Sequence, residues 1–266
     1  MKVLETTGSG VIRQVNYIGG LTVQFWSSLR AAPRVLPVVG KRGRWQTAMR
    51  QIVAIGVQGL PLIAVLSTCV GFILALQTAA ELRRFGAIQL VISIVAVGFT
   101  RELGPLVTAI VVSGRSGSAF SAEIGTMVAT NEIDALRTMA IDPVEFVLTP
   151  KYLAAIIAVP CLTVMSSFFG IMAGAGFMYF TTNMGLRMYV TYVADSIVLR
   201  DVFLGLLKSV AFATIIAQVG CMEGLKVRGG PEAVGRSTTS AVVKSTFLVI
   251  LADLLFTAAF YLLGAE

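Results

Sequence analysis

The sequence predicts an all-α polytopic membrane protein: an N-terminal interfacial amphipathic helix, five transmembrane helices, and a cytoplasmic coupling helix between spans two and three. Three observations predict it. Of 266 residues, 56% are hydrophobic and only 13% charged, against roughly a quarter charged in a soluble domain. Five apolar runs each approach or exceed the roughly 20 residues that cross about 30 Å of hydrocarbon. The lysines and arginines outside those runs crowd onto one side.

Composition also excludes function classes. With no histidine in the chain, imidazole metal sites, histidine bases and Ser/His/Asp triads are ruled out. Cys69, Cys161 and Cys221 lie far apart in apolar runs, form no CxxC, and read as small core residues. No G-x-x-x-x-G-K-[ST] loop occurs, so any use of ATP requires a partner that binds the nucleotide. The net charge of +7 suits either nucleic acid or the cytoplasmic face of a membrane, and its distribution decides between them.

Two units are expected, an N-terminal helix with a basic linker over 1–50 and a five-span domain over 51–266. The first residues lack the pattern of a cleavable signal peptide. Over 11–29, Val11, Val15, Ile18, Phe25 and Leu29 recur at helical spacing, with Tyr17, Leu21 and Trp26 beside the stripe, as in a helix lying in a membrane surface or packed on protein. Pro33, Pro37, Gly40 and Gly43 break it amid Arg34, Lys41, Arg42 and Arg44, a basic linker suited to anionic headgroups. The spans fall at about 52–80, 88–112, 152–180, 202–222 and 246–264. A short turn makes spans one and two antiparallel neighbours. The connection after span two is the longest and the only one expected to hold a helix of its own.

Charge sets the orientation. Eight Lys and Arg precede residue 51, and Arg115, Arg137, Lys151, Lys226, Arg228, Arg236 and Lys244 share their side. Arg83, Arg84, Arg187 and Arg200 fall on the other. The positive-inside rule then puts the N-terminus in the cytoplasm and the C-terminus in the periplasm. Topology accounts for the basic balance, which leaves no role for nucleic acid. Five spans with no internal duplication argue against an inverted-repeat carrier, and a path for a large substrate calls for a second copy of so small a bundle.

Four charges lie inside spans: Arg101, Glu102, Lys208 and Asp253. Charges in hydrocarbon are expensive and usually face a bundle interior or a wet cavity. Two readings follow. The four pair across helices and lock the bundle, or they line a polar pocket for an amphiphile. In the second, Arg101 and Lys208 donate to a phosphate while Glu102 and Asp253 hold those cations or gate the path.

Past span two, Gly114, Gly117, Ser118, Ala119, Ser121, Ala122 and Gly125 have the size and spacing of a close-packed helix stem rather than a phosphate loop. Thr130 or Asn131 can then cap a short amphipathic helix with Ile133, Leu136 and Met139 or Ala140 on one face, ended by Asp142 and Pro143. By itself that helix suits either the headgroups or a partner's groove.

Several of these motifs, in this order, resemble the MlaE permease family of lipid ABC transporters, which includes the YrbE permeases of Mce systems and the chloroplast lipid permease. They are Arg101-Glu102-Leu103-Gly104-Pro105, the GRSGSA run from Gly114 to Ala119, Ala122-Glu123-Ile124-Gly125, Asn131-Glu132-Ile133-Asp134-Ala135-Leu136 and Ile141-Asp142-Pro143. The resemblance continues through Leu207-Lys208-Ser209 into the last span and covers about 45–264. It implies a homodimeric permease of the bacterial inner membrane, with no catalytic residue, metal or cofactor of its own. ATP and magnesium would sit on two cytoplasmic ATPase subunits, coupled through Glu123, Asn131, Glu132, Asp134, Arg137 and Met139. A phospholipid cavity opening outward would be lined by Leu74, Gln77, Leu82 and Phe85, with Arg101, Glu102, Lys208 and Asp253 deeper. A periplasmic MCE-domain protein would receive or deliver the lipid.

Two other classes compete. An ion- or proton-coupled carrier would use the four intramembrane charges as a relay. An enzyme acting on lipid would need Glu102 or Asp253 as its base.

Overall fold

The computed structural model describes residues 19–20, 26–27, 30 and 42–264. Most of the expected N-terminal amphipathic helix, 11–29, lies outside the described residues. Gly19, Gly20, Trp26 and Ser27 are helical, and a Cβ on Gly20 would lie 2.8 Å from Met222 Cε.

Nine α-helices follow among the described residues, with no strand: α1 (Arg42–Leu82), α2 (Leu90–Gly98), α3 (Gly104–Val112), α4 (Ser118–Ala129), α5 (Glu132–Thr138), α6 (Thr149–Thr182), α7 (Leu186–Ser196), α8 (Leu199–Leu225) and α9 (Pro231–Leu262). The π-helical turns Phe99–Leu103 and Ser113–Gly117 join α2, α3 and α4 into one rod, and a third, Val144–Leu148, leads into α6. Five segments have the length and hydropathy of membrane spans: Gln46–Phe85, Leu90–Ala129, Val144–Thr182, Leu199–Leu225 and Pro231–Leu262. The all-α, five-span architecture is the one the sequence predicts.

Several expectations are corrected. The helices outrun the apolar stretches, because hydropathy marks only the hydrocarbon-facing part of a rod that continues beyond it. At 41 residues, α1 is about 60 Å long, roughly twice the hydrocarbon thickness. It begins at Arg42, so the end of the basic linker is already helical, ahead of the span itself. The small-residue stem is the continuation of span two, and the connection before span five shrinks to 226–230 as α9 reaches back to Pro231. The connection after span three also holds a helix, α7, which the sequence pattern does not predict. Its inward face is Tyr189, Tyr192, Val193 and Ser196, too short a repeat to stand out between two long apolar runs. Cys221 is buried as expected, but Cys69 and Cys161 are exposed on the surface of the bundle.

Two cores hold the bundle. Around Phe120, Ile124, Tyr152, Phe212 and Ile216 lies the core on the side of Arg42, and Val91, Val95, Phe99, Met178 and Tyr189 form the other on the far side. Spans one and three run parallel between them: Ser67 Oγ meets Ser166 Oγ at 2.7 Å. One turn on, a Cβ at Gly71 would lie 2.3 Å from the Gly170 carbonyl oxygen. Without hydrophobic drive between helices inside lipid, such close backbone approaches and small hydroxyl bridges are what hold spans together.

Candidate functional site

Span two presents Arg101 and Glu102 on a π-turn, and Pro105 explains the turn. Proline has no N–H for the carbonyl four residues back, so the ladder widens, and the Gly104 N–H closes it on the Phe99 carbonyl. Consecutive helical residues point about 100° apart. Arg101 and Glu102 therefore diverge instead of meeting each other.

Both reach the same face of α8. Asp201, Gly205 and Lys208 lie on it within two turns. A Cβ on Gly205 would lie 2.1 Å from the Thr100 carbonyl oxygen, so the bare glycine seats the π-turn against α8 between the two charges. To one side, Arg101 Nε is 3.6 Å from Asp201 Oδ1. Asp201 also caps α8, its Oδ2 accepting the Val198 N–H at 3.1 Å. To the other side, Glu102 pairs with Lys208.

Lys208 is 1% exposed. Its ammonium donates to Glu102, to Asp253 Oδ1 at 2.9 Å and to Thr257 Oγ1 at 2.8 Å, joining spans two, four and five. An ammonium has three protons, and all three are committed. Of the four charges expected in one site, the structure brings Glu102, Lys208 and Asp253 together and sends Arg101 to Asp201. Lys208 thus faces carboxylates rather than an open phosphate position. The accessible edge belongs to Glu102, whose side chain is 36% exposed, and to Arg101.

Sequence reasoning missed Asp201, Gly205 and Thr257. Asp201 stands at the start of an apolar run, beside Arg200, where a charge is ordinary. Its seven-residue spacing from Lys208 is the signal that places both on one helix face.

The four residues expected along the outer half of span one divide. Leu74 and Leu82 are half-buried against the far-side core, whereas Gln77 and Phe85 point outward. Arg84 and Glu81 form an exposed pair at 3.5 Å.

At the other end of span two, the stem packs closely in part. A Cβ on Gly117 would touch Ile216 Cγ2 at 3.2 Å and one on Gly125 would meet Val227 Cγ2 at 2.8 Å, while Gly114 has nothing within 4 Å. Arg115 reaches back to span one, donating to Gln58 Oε1 at 2.7 Å and to the Ala54 carbonyl. Glu123 pairs with the buried Lys151 at the foot of α6. Asn131 starts α5 in the left-handed region at φ 60°, with no side-chain capping bond, so its contribution is conformational rather than that of a side-chain cap. Glu132 accepts from Thr130 Oγ1 at 2.8 Å, and Arg137 donates to Asp134 Oδ1 at 3.1 Å. Ile133 anchors α5, leaving Glu132, Asp134, Arg137 and Met139 toward solvent.

Beside α5 the turn from α8 to α9 is tied down by Glu223. This buried carboxylate accepts from Ser240 Oγ at 2.6 Å and from Lys244 Nζ at 2.7 Å, both on α9. Burial pulls the neighbouring Lys226 ammonium below its ordinary range, Glu223 opposes that shift, and Lys244 adds to it.

The family described as Permease MlaE matches residues 48–259. The chain belongs to the MlaE permease family. Among its relatives, a probable ABC transporter permease protein of Rickettsia typhi is 37% identical over 209 residues, 79% of this chain and 81% of the relative. The intermembrane phospholipid transport system permease protein MlaE of Haemophilus influenzae is 29% identical over 94% of this chain and 98% of its own. The chloroplastic protein TRIGALACTOSYLDIACYLGLYCEROL 1 of Arabidopsis thaliana is 32% identical over 85% of this chain and 65% of its own length. As an MlaE-family member, the chain is a multi-pass ABC transporter permease. Its motifs from Arg101 to Pro143 form the rod, stem and short helix α5 described above.

Proposed function

We propose that this permease works as a homodimer in the bacterial inner membrane, its N-terminus in the cytoplasm. It moves phospholipid between that membrane and a periplasmic MCE-domain protein, driven by a separate ATPase that binds α5. The observation that carries the reading is the ammonium of Lys208, held by spans two, four and five at once. Any change in the relative position of those spans must break or remake one of its bonds, so the network can report a push at the ATPase end to a cavity at the other. Glu102 and Arg101 face that cavity as its polar groups. The Haemophilus relative, an intermembrane phospholipid transport system permease protein, supports phospholipid as the cargo.

Two measurements test it. The chain is purified with its partner ATPase, and native mass spectrometry of wild type is compared with Arg101→Ala and Glu102→Gln. Retained phospholipid should fall in both variants, and unchanged occupancy removes these side chains from the site. Charge reversal at Glu132 and Arg137 should release the ATPase and stop lipid transport in proteoliposomes. Transport driven by an ion gradient without ATPase would instead favour a coupled carrier.

A further inference from the structure

We propose that the turn joining α8 to α9 is the second wall of the ATPase socket, and that the socket takes an apolar side chain flanked by carboxylates; this rests on the ATPase reading above. A groove of about 780 Å³ opens between α5 with the end of α4 on one side and the α8–α9 turn on the other. Its apolar floor is Val128 and Ile133 from the first wall and Leu225 and Val227 from the second. Val128 and Leu225 are half-buried and offer its apolar surface, while Ile133 and Val227, 3% and 5% exposed, are already packed. The rim carries Arg137, Lys226 and Arg228 against the carboxylate of Asp134, with Lys226 4.0 Å from Glu223 behind it. Asp134 is already engaged by Arg137. An apolar floor inside a rim of net positive charge selects a partner segment of opposite pattern.

The socket's position gives the second wall a purpose. Its first wall ends the rod that carries Glu102, and its second ends α8, which carries Lys208. Glu223 ties that second wall to Ser240 and Lys244 of α9, which carries Asp253. One inserted segment therefore bears on all three helices that share the Lys208 ammonium.

The test uses the full chain with its ATPase. Arg228 is exposed, so Arg228→Glu alters the rim without touching the floor. It should lower ATPase retention about tenfold and flatten its salt dependence, with unchanged thermal stability of the permease. A photo-crosslinker at position 228 should capture the ATPase as one at 137 does, whereas one at 187 should not. Retention and crosslinking that respond at 137 and not at 228 overturn the second wall and leave the ATPase reading intact. Failure of wild type to retain any ATPase overturns both.

Discussion

Lys208 Nζ and Asp253 Oδ1 stand 2.9 Å apart across α8 and α9, and Glu102 of span two occupies the other side of the same ammonium. Two carboxylates depend on one cation that water barely reaches. Lys208→Met leaves both uncompensated and should destabilise the permease by about 3–5 kcal/mol. Combining it with Glu102→Gln and Asp253→Asn removes the repulsion and should restore most of that loss. Thermal unfolding of the purified variants in nanodiscs checks the order; a triple variant no better than the single one rules out the charge argument.

Glycine contacts predict opposite signs for one kind of substitution. Gly205→Ala brings a Cβ to 2.1 Å from the Thr100 carbonyl oxygen, so α8 must move off the π-turn at a cost of about 1–3 kcal/mol. Gly56 lies within α1, and a Cβ there would have nothing within 4 Å. Gly56→Ala should stabilise by up to about 1 kcal/mol through helix propensity. The same unfolding assay should place the two on either side of wild type.

The Arg101 and Asp201 pair can be isolated by a double-mutant cycle. Asp201→Asn keeps an acceptor for the Val198 N–H but removes the charge, and Arg101→Met removes the cation. Their coupling should be on the order of 1 kcal/mol, as for a partly exposed pair at 3.6 Å. Additive effects would show that Arg101 is held by something else.

Tyr189 joins α7 to span three, its hydroxyl donating to the Ile171 carbonyl at 2.9 Å. Burial pushes this phenol up to about 12. A raised value means the fold favours the protonated form, so that contribution is complete below about pH 10. It is lost as pH rises toward 12. Tyr189→Phe should cost about 1 kcal/mol at neutral pH and reduce the loss of stability between about pH 10 and 12, read by far-UV circular dichroism.

Much of the molecule was legible in the sequence, and unevenly. Phe99 to Pro143 announced a charge pair, a small-residue stem and a short helix, and all three are present. The partners of Arg101 and Glu102 were not legible. Nor was α7, whose inward stripe of four residues is short beside its neighbours, and the turn at Val227 and Arg228 showed only basic charge.

Hydropathy and length along the chain were enough for the helical class, the number of spans and the order of the motifs. Burial in hydrocarbon is a property of each segment alone, and it can be read in one dimension. That Arg101 meets Asp201 while Glu102 meets Lys208 is settled in three dimensions. The pairing depends on how the rod is rotated, which Pro105 sets by widening one turn. It depends equally on how close α8 can come, which Gly205 sets by having no side chain. A sequence shows each of these residues, but their joint effect is an angle and a distance between helices.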